Sequence, residues 1–156
     1  MSAAAGPPVI RAAVPSDVPA LMRLIRALAE YERLTHLVVA DEAMLAEALF
    51  GARPAAEAVI ATDGHESGGA AGFALFFHTF STFLGRRGLW LEDLFVLPEH
   101  RGRGLGRALL THLAGIGGSS RGVRKARRPT GQAGLDAGRG DTGAARRSLP
   151  WRTWRA

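Results

Sequence analysis

Leu91–Leu110, LEDLFVLPEHRGRGLGRALL, is the stretch on which the reading of this chain turns. It reads as a strand ending near Leu97, a loop bounded by Pro98, a turn built on Gly102, Gly104 and Gly106, and the opening of an amphipathic helix. A strand that feeds a glycine-rich turn into a helix N-terminus makes an anion site. Unpaired backbone N–H groups converge there, and the helix dipole adds partial positive charge. The same strand carries two adjacent carboxylates, Glu92 and Asp93. An anion-binding turn beside a candidate base points to a phosphate-bearing donor meeting a nucleophile.

The rest of the chain is consistent with one domain and a compositional break. A length of 156 residues suffices for a single core. There is no Cys, which excludes disulfides, thiolate metal sites and a catalytic cysteine. The five His, at 36, 65, 78, 100 and 112, lack close ligand spacing, so no metal is expected. No apolar run reaches the length of a membrane span and Met1–Pro8 lacks the features of a signal peptide, so a soluble cytoplasmic protein is the expectation. Residues 1–120 carry ten Arg against twelve Asp or Glu, a net charge of −2. Residues 121–156 carry nine Arg and one Lys against two Asp, a net +8. The body is slightly acidic and only the tail is a polycation.

Val9–Ala13 is a strand candidate, followed by a turn in which Ser16 or Asp17 can cap a helix. Val18, Leu21, Ile25 and Leu28 share helical spacing, which predicts a helix to about Arg33 that ends in Tyr31 and Glu32. Asp41 caps a second helix closed by Gly51. Ala58–Thr62 is a strand, Asp63–Gly69 a polar turn, and Gly72–Phe80 an aromatic strand apolar on both faces, hence central. Phe80 and Phe83 are expected to pack in the core, and His78 to be a polar residue at the strand edge. Ser81–Gly88 reads as a loop before the strand Leu89–Leu97. Strict alternation there puts Leu89, Leu91, Phe95 and Leu97 on one face and Trp90, Glu92, Leu94 and Val96 on the other. Glu92 then falls on an apolar face and Asp93 interrupts the opposite one, a costly arrangement unless the carboxylates are paired or used; the alternative is two acids exposed at a strand edge. Gly104–Ile116 is the last helix, after which no period of 2 or 3.6 persists and disorder is expected.

Two other glycine signatures fail here. The dinucleotide fingerprint lacks its third glycine and would sit too late in the chain, and a Walker A loop needs a Lys where the sole Lys is Lys125. What fits is Arg101-x-x-Gly104-x-Gly106 at a strand–turn–helix junction, with Arg103 and Arg107 adding positive charge. With LIRALAEYE (24–32), FFHTFSTFLGRRGLWLEDLFV (76–96) and PEHRGRGLGRALL (98–110), the chain resembles the GNAT superfamily of N-acetyltransferases, in its diamine (spermidine/spermine) and thialysine branch. The resemblance covers residues 9–116. It implies an α/β fold with a mixed sheet, acetyl-CoA as co-substrate and a small cationic amine as acceptor, usually in a homodimer. By that resemblance Leu94, Phe95 and Val96 pair their backbone with the pantetheine arm. Arg101, Gly102, Arg103, Gly104, Leu105, Gly106 and Arg107 hold the pyrophosphate. Tyr31, Glu32, Glu92 and Asp93 face the amine, with Glu92 as catalytic base.

The family pattern continues past this helix into another strand and a helix whose Tyr protonates the leaving thiolate. Nothing like it is read after Ile116, and Tyr31 is the sole Tyr. The expected organisation is therefore an acetyltransferase domain over 1–116, incomplete at its C-terminus, and a basic Gly/Arg-rich tail over 117–156. Nineteen Arg to one Lys suggests a GC-rich coding sequence, and an out-of-frame tail is the expected explanation. The rival reading has Trp151 and Trp154 among arginines binding nucleic acid through stacking and phosphates. Charge runs are more often simply solvated, so nucleic acid is not the expected partner.

Overall fold

Val59 and Ile60, like Phe73 and Ala74, are consecutive strand residues buried to within 2% of full burial, so the sheet they form is covered on both sides. The computed structural model describes residues 6–62, 64, 69–117 and the backbone of 123–125. Its five-stranded sheet runs in the order β1 (Val9–Ala12), β2 (Glu57–Thr62), β3 (Gly72–Ser81), β4 (Arg86–Val96) and β5 (Val123–Lys125). The first four are antiparallel neighbours, and β5 lies parallel to β4. Helices α1 (Val18–Tyr31) and α2 (Glu42–Phe50) cover one face, where Leu21, Met22 and Leu49 meet Ile60, Phe73 and Phe95. Helix α3 (Leu105–Ile116) covers the other, with Leu105, Leu109 and Leu113 against Val59, Phe76, Leu91 and Val96.

The ends of the elements follow local chemistry, with one exchange of partners. The Asp41 carboxylate accepts from the Met44 N–H at 2.8 Å and caps α2 as expected. Asp17 does not cap α1. Its carboxylate accepts from the Val14 N–H at 2.8 Å and takes both terminal nitrogens of Arg11 at 2.6 and 2.7 Å. The hydrogen bond from Arg11 outweighs partial burial and holds the Asp17 carboxyl below its ordinary pKa. Helix α1 ends at Tyr31, and Arg33 takes the left-handed conformation with φ of 59°.

Four sequence expectations are corrected. Strand β4 begins at Arg86, inside the expected loop, because its pairing with β3 continues to Ser81 opposite Arg86. The two strands overhang β2, whose pairing stops at Phe76 opposite Glu57. Phe80 and Phe83 therefore lie on a projecting hairpin, where Phe83 is 100% exposed, and neither reaches the core.

The third correction concerns alternation in β4. Leu75 pairs with Asp93 and Phe76 with Leu91, so Glu92 is an inserted residue, a β-bulge. The phase slips by one across it. Leu89 and Leu91 pack on the α3 side together with Leu94 and Val96, while Phe95 and Leu97 turn to the α1 side. Uniform alternation would join Phe95 to Leu91.

The fourth correction is β5. The segment after α3 carries no apolar strand pattern, yet Leu89, Trp90 and Leu91 pair with Val123, Arg124 and Lys125. Pairing there satisfies the backbone of an open β4 edge and does not depend on an apolar repeat. Residues 126–156, with the expectations of disorder and of nucleic-acid contact, lie outside the described residues. Among the described residues no helix is long and apolar enough to cross a membrane.

Candidate active site

Helix α3 starts from a turn that only its glycines make easy. Gly102 and Gly104 have φ of 77° and 83°, in the region that costs an L-residue with a Cβ. The first helical backbone bond runs from the Ala108 N–H to the Gly104 carbonyl at 2.9 Å, which leaves the N–H groups just before it without helical partners. Leu105, 2% exposed, fixes the turn to the sheet, and the first turn of α3 holds no acidic side chain. Arg107 adds a cation on that turn. An anion is the ligand this end accommodates.

Facing the turn is a length of β4 whose second edge has no strand partner among the described residues. The Leu97 N–H bonds the Ala71 carbonyl at 2.9 Å, and a Cβ built on Gly72 would come within 2.7 Å of the Phe95 carbonyl oxygen. Residues 95 and 97 thus direct their backbone groups at β3. By alternation, Leu94 and Val96 direct theirs at the opposite edge, past the end of the β5 pairing at Leu91. Of the three residues expected to pair with a pantetheine arm, Leu94 and Val96 face this edge, and the Val96 carbonyl accepts from Arg101 Nε there. Phe95 contributes its ring instead.

These parts enclose a cleft of about 500 Å³. Its walls are Leu94, Phe95 and Val96 from β4; Arg101, Gly102, Gly104, Leu105, Gly106 and Arg107 from the turn and helix; and Tyr31 and Glu32 from the end of α1. Arg103 is exposed and stands outside this lining. Leu28 and His100 line the cleft and were not expected there. Leu28 had a signal: it lies three residues before Tyr31 on the same helical face. His100 directly precedes Arg101 in the motif, but a lone His beside an Arg carries no spacing signature.

The Arg101 side chain folds back across the cleft wall. Its Nε donates to the Val96 carbonyl at 2.9 Å, and its guanidinium carbon lies 4.6 Å from the centre of the Tyr31 ring and 5.5 Å from that of Phe95. The two rings meet at 6.3 Å in a tilted arrangement. Tyr31 is 64% exposed.

The two β4 carboxylates part company at the bulge. Glu92 is exposed, and its Oε2 accepts from the Trp90 indole N–H at 3.0 Å, while Trp90 stacks on Phe77. Asp93 lines an adjoining hollow of about 320 Å³ between Ile25, Leu28, Ala29, Leu34, Leu37 and Val38. Leu28 is the wall common to both spaces. The expectation that Glu92 falls on an apolar face is overturned by the inserted residue. Among the described residues, no cluster of three or more His, Asp or Glu could hold a metal ion.

Comparison with known proteins gives one consistent answer. A thialysine N-epsilon-acetyltransferase of Mus musculus is 36% identical, the match covering 69% of this chain and 65% of the mouse protein. An L-ornithine N5-acetyltransferase of Arabidopsis thaliana is 31% identical, the match covering 67% of this chain and 64% of the plant protein. This chain thus spans about two thirds of the length of these relatives. The crystal structure of a ribosomal-protein-alanine N-acetyltransferase from Brucella melitensis biovar Abortus 2308 superposes with a TM-score of 0.59 at 24% identity, over 80% of this chain and 84% of the other. That likeness concerns the fold alone. The acetyltransferase (GNAT) family matches residues 20–128, and the chain belongs to that family.

Proposed function

We propose that this chain is an N-acetyltransferase that moves an acetyl group from acetyl-CoA to a primary amine on a small cationic acceptor. The observation that carries the reading is the cleft itself, where the open Leu94–Val96 edge runs into the glycine turn beneath the α3 N-terminus. A flat arm with amide groups suits the strand edge, and a pyrophosphate suits the turn. The residues at the turn fit such a donor: they supply N–H groups, Arg101 and Arg107, and a left-handed Gly104 with open space within 4 Å of where a Cβ would stand.

The acceptor side supports an amine. Glu32 lines the cleft and Asp93 the hollow beside it, while Glu92 stands on the bulge outside the lining of both. An alkylamine attacks a thioester only when neutral. With an ordinary pKa near 10.4, its free base costs about 4–5 kcal/mol at pH 7, so a positioned base matters. Glu92 is the proposed base, directly or through a water. Asp93 and Glu32 attract and orient further positive charge, and an N–H on the Leu94–Val96 segment polarises the thioester oxygen. The relatives named for thialysine and L-ornithine favour a terminal amine of a lysine-like side chain, with polyamines as the other candidates. A homodimer is proposed with it, from the same resemblance.

Calorimetric titration with acetyl-CoA, run beside an acetylation assay on thialysine, ornithine and spermidine, tests the reading. Binding together with turnover is expected. Binding without turnover supports a donor-binding remnant, the second reading suggested by Tyr31 being the sole Tyr. Failure to bind acetyl-CoA rejects both.

A further inference from the structure

We infer that Arg101 is a positioning residue that transmits occupancy of the glycine turn to Tyr31, on the acceptor side of the cleft. The inference rests on the acetyl-CoA reading above. Sequence alone makes Arg101 one of several cations around a pyrophosphate, but its contacts are of another kind. Its Nε is engaged by the Val96 carbonyl at 2.9 Å, which pins the side chain to the last residue of β4. Its guanidinium lies over the Tyr31 ring at 4.6 Å and near Phe95 at 5.5 Å.

Tyr31 sits on the final turn of α1 with 64% of its surface open, so its ring contacts with Arg101 and Phe95 weigh heavily in where it rests. The Nε–Val96 bond uses one of five guanidinium N–H donors, and the terminal nitrogens can meet a phosphate oxygen at the adjacent turn. A pyrophosphate there draws the guanidinium by charge, and the face on which Tyr31 rests moves or stiffens with it. One planar cation thus touches both halves of the site. Linkage requires the effect to run both ways, so a change at Tyr31 alters donor affinity.

The chain has a single Tyr, so 3-fluorotyrosine labels position 31 alone and gives one fluorine resonance. The full-length protein is titrated with CoA while calorimetry follows binding on the same samples. The expected result is a resonance that shifts in step with the binding isotherm. In Arg101→Gln, CoA affinity falls about tenfold and the resonance at saturation stays at its ligand-free position. Arg101→Lys, which keeps the charge, recovers part of the shift. An equal shift at saturation in Arg101→Gln overturns the inference, since CoA would then reach Tyr31 without Arg101. So does CoA binding to the unsubstituted protein that leaves the resonance unmoved. If CoA does not bind at all, the acetyl-CoA reading falls first and this inference with it. Tyr31→Leu provides a test that spares Arg101: CoA affinity drops about three- to tenfold if the two are coupled, and an unchanged affinity overturns the coupling.

Discussion

Glu92 and Asp93 are neighbours in sequence, and the bulge between β3 and β4 gives them unequal surroundings. Asp93 is opposite Leu75 and closes one end of an apolar hollow, where a carboxylate can hold the cationic part of an acceptor. Glu92 has no partner across the ladder and stands exposed, steadied by the Trp90 indole. A group on an inserted residue can lean toward a substrate without breaking the sheet, which favours Glu92 for proton removal. Glu92→Gln is therefore expected to lower kcat about 100-fold, in the range usual for a general base, with calorimetric acetyl-CoA affinity changed less than twofold. Asp93→Asn is expected to raise the acceptor KM with a smaller loss of kcat. A kcat within threefold of the parent in Glu92→Gln would remove it as the base.

At the scale of elements, the turn before α3 is legible in the sequence because its chemistry is local. R-x-x-G-x-G names Gly104, which has left-handed backbone with φ of 83°, although it passes over Gly102, which has it too at 77°. A Cβ there meets nothing within 4 Å, so Gly104→Ala isolates the conformational cost. Thermal or urea unfolding should show a loss of about 1–2 kcal/mol. Gly106 lies inside the helix, and a Cβ there would only touch Val96 at 4.0 Å, an ordinary contact. Gly106→Ala should be neutral or gain up to about 1 kcal/mol from helix propensity. Equal losses for the two would mean that the turn is not held by Gly104. The bulge, by contrast, is hidden. Alternation predicts a face only while each residue has one partner, and an insertion on β4 exists only relative to β3. Phe83 departs from its expected place for a related reason: aromatic content marks a strand, but not how far a hairpin overhangs its neighbour. The short β5 has no signal at all, since an edge pairing through backbone groups asks nothing of side chains.

Across the whole molecule, β4 separates charge as well as layers. Arg101 and Arg107 gather where β4 gives way to α3, whereas Asp93 and Glu92 sit on the strand itself and Glu32 closes the end of α1. The totals conceal this, because residues 1–120 come to only −2 while the basic excess belongs to 121–156. On the proposed reaction, a polyanionic donor and a cationic acceptor would each approach charge of the other sign. Shared charge complementarity has a measurable consequence. Added salt screens both approaches, the Debye length falling from about 14 Å at 50 mM to about 4 Å at 500 mM. Over that range, acetyl-CoA and acceptor affinity should each weaken about three- to tenfold in calorimetry, while an uncharged amide analogue of the acceptor keeps its affinity. The cluster that each ligand uses can then be read from substitutions: Arg107→Gln should flatten the salt dependence for acetyl-CoA and leave the acceptor's slope in place, and Asp93→Asn should do the reverse. If one substitution flattens both slopes equally, the two charges act as a single field and the division along β4 has no role in recognition.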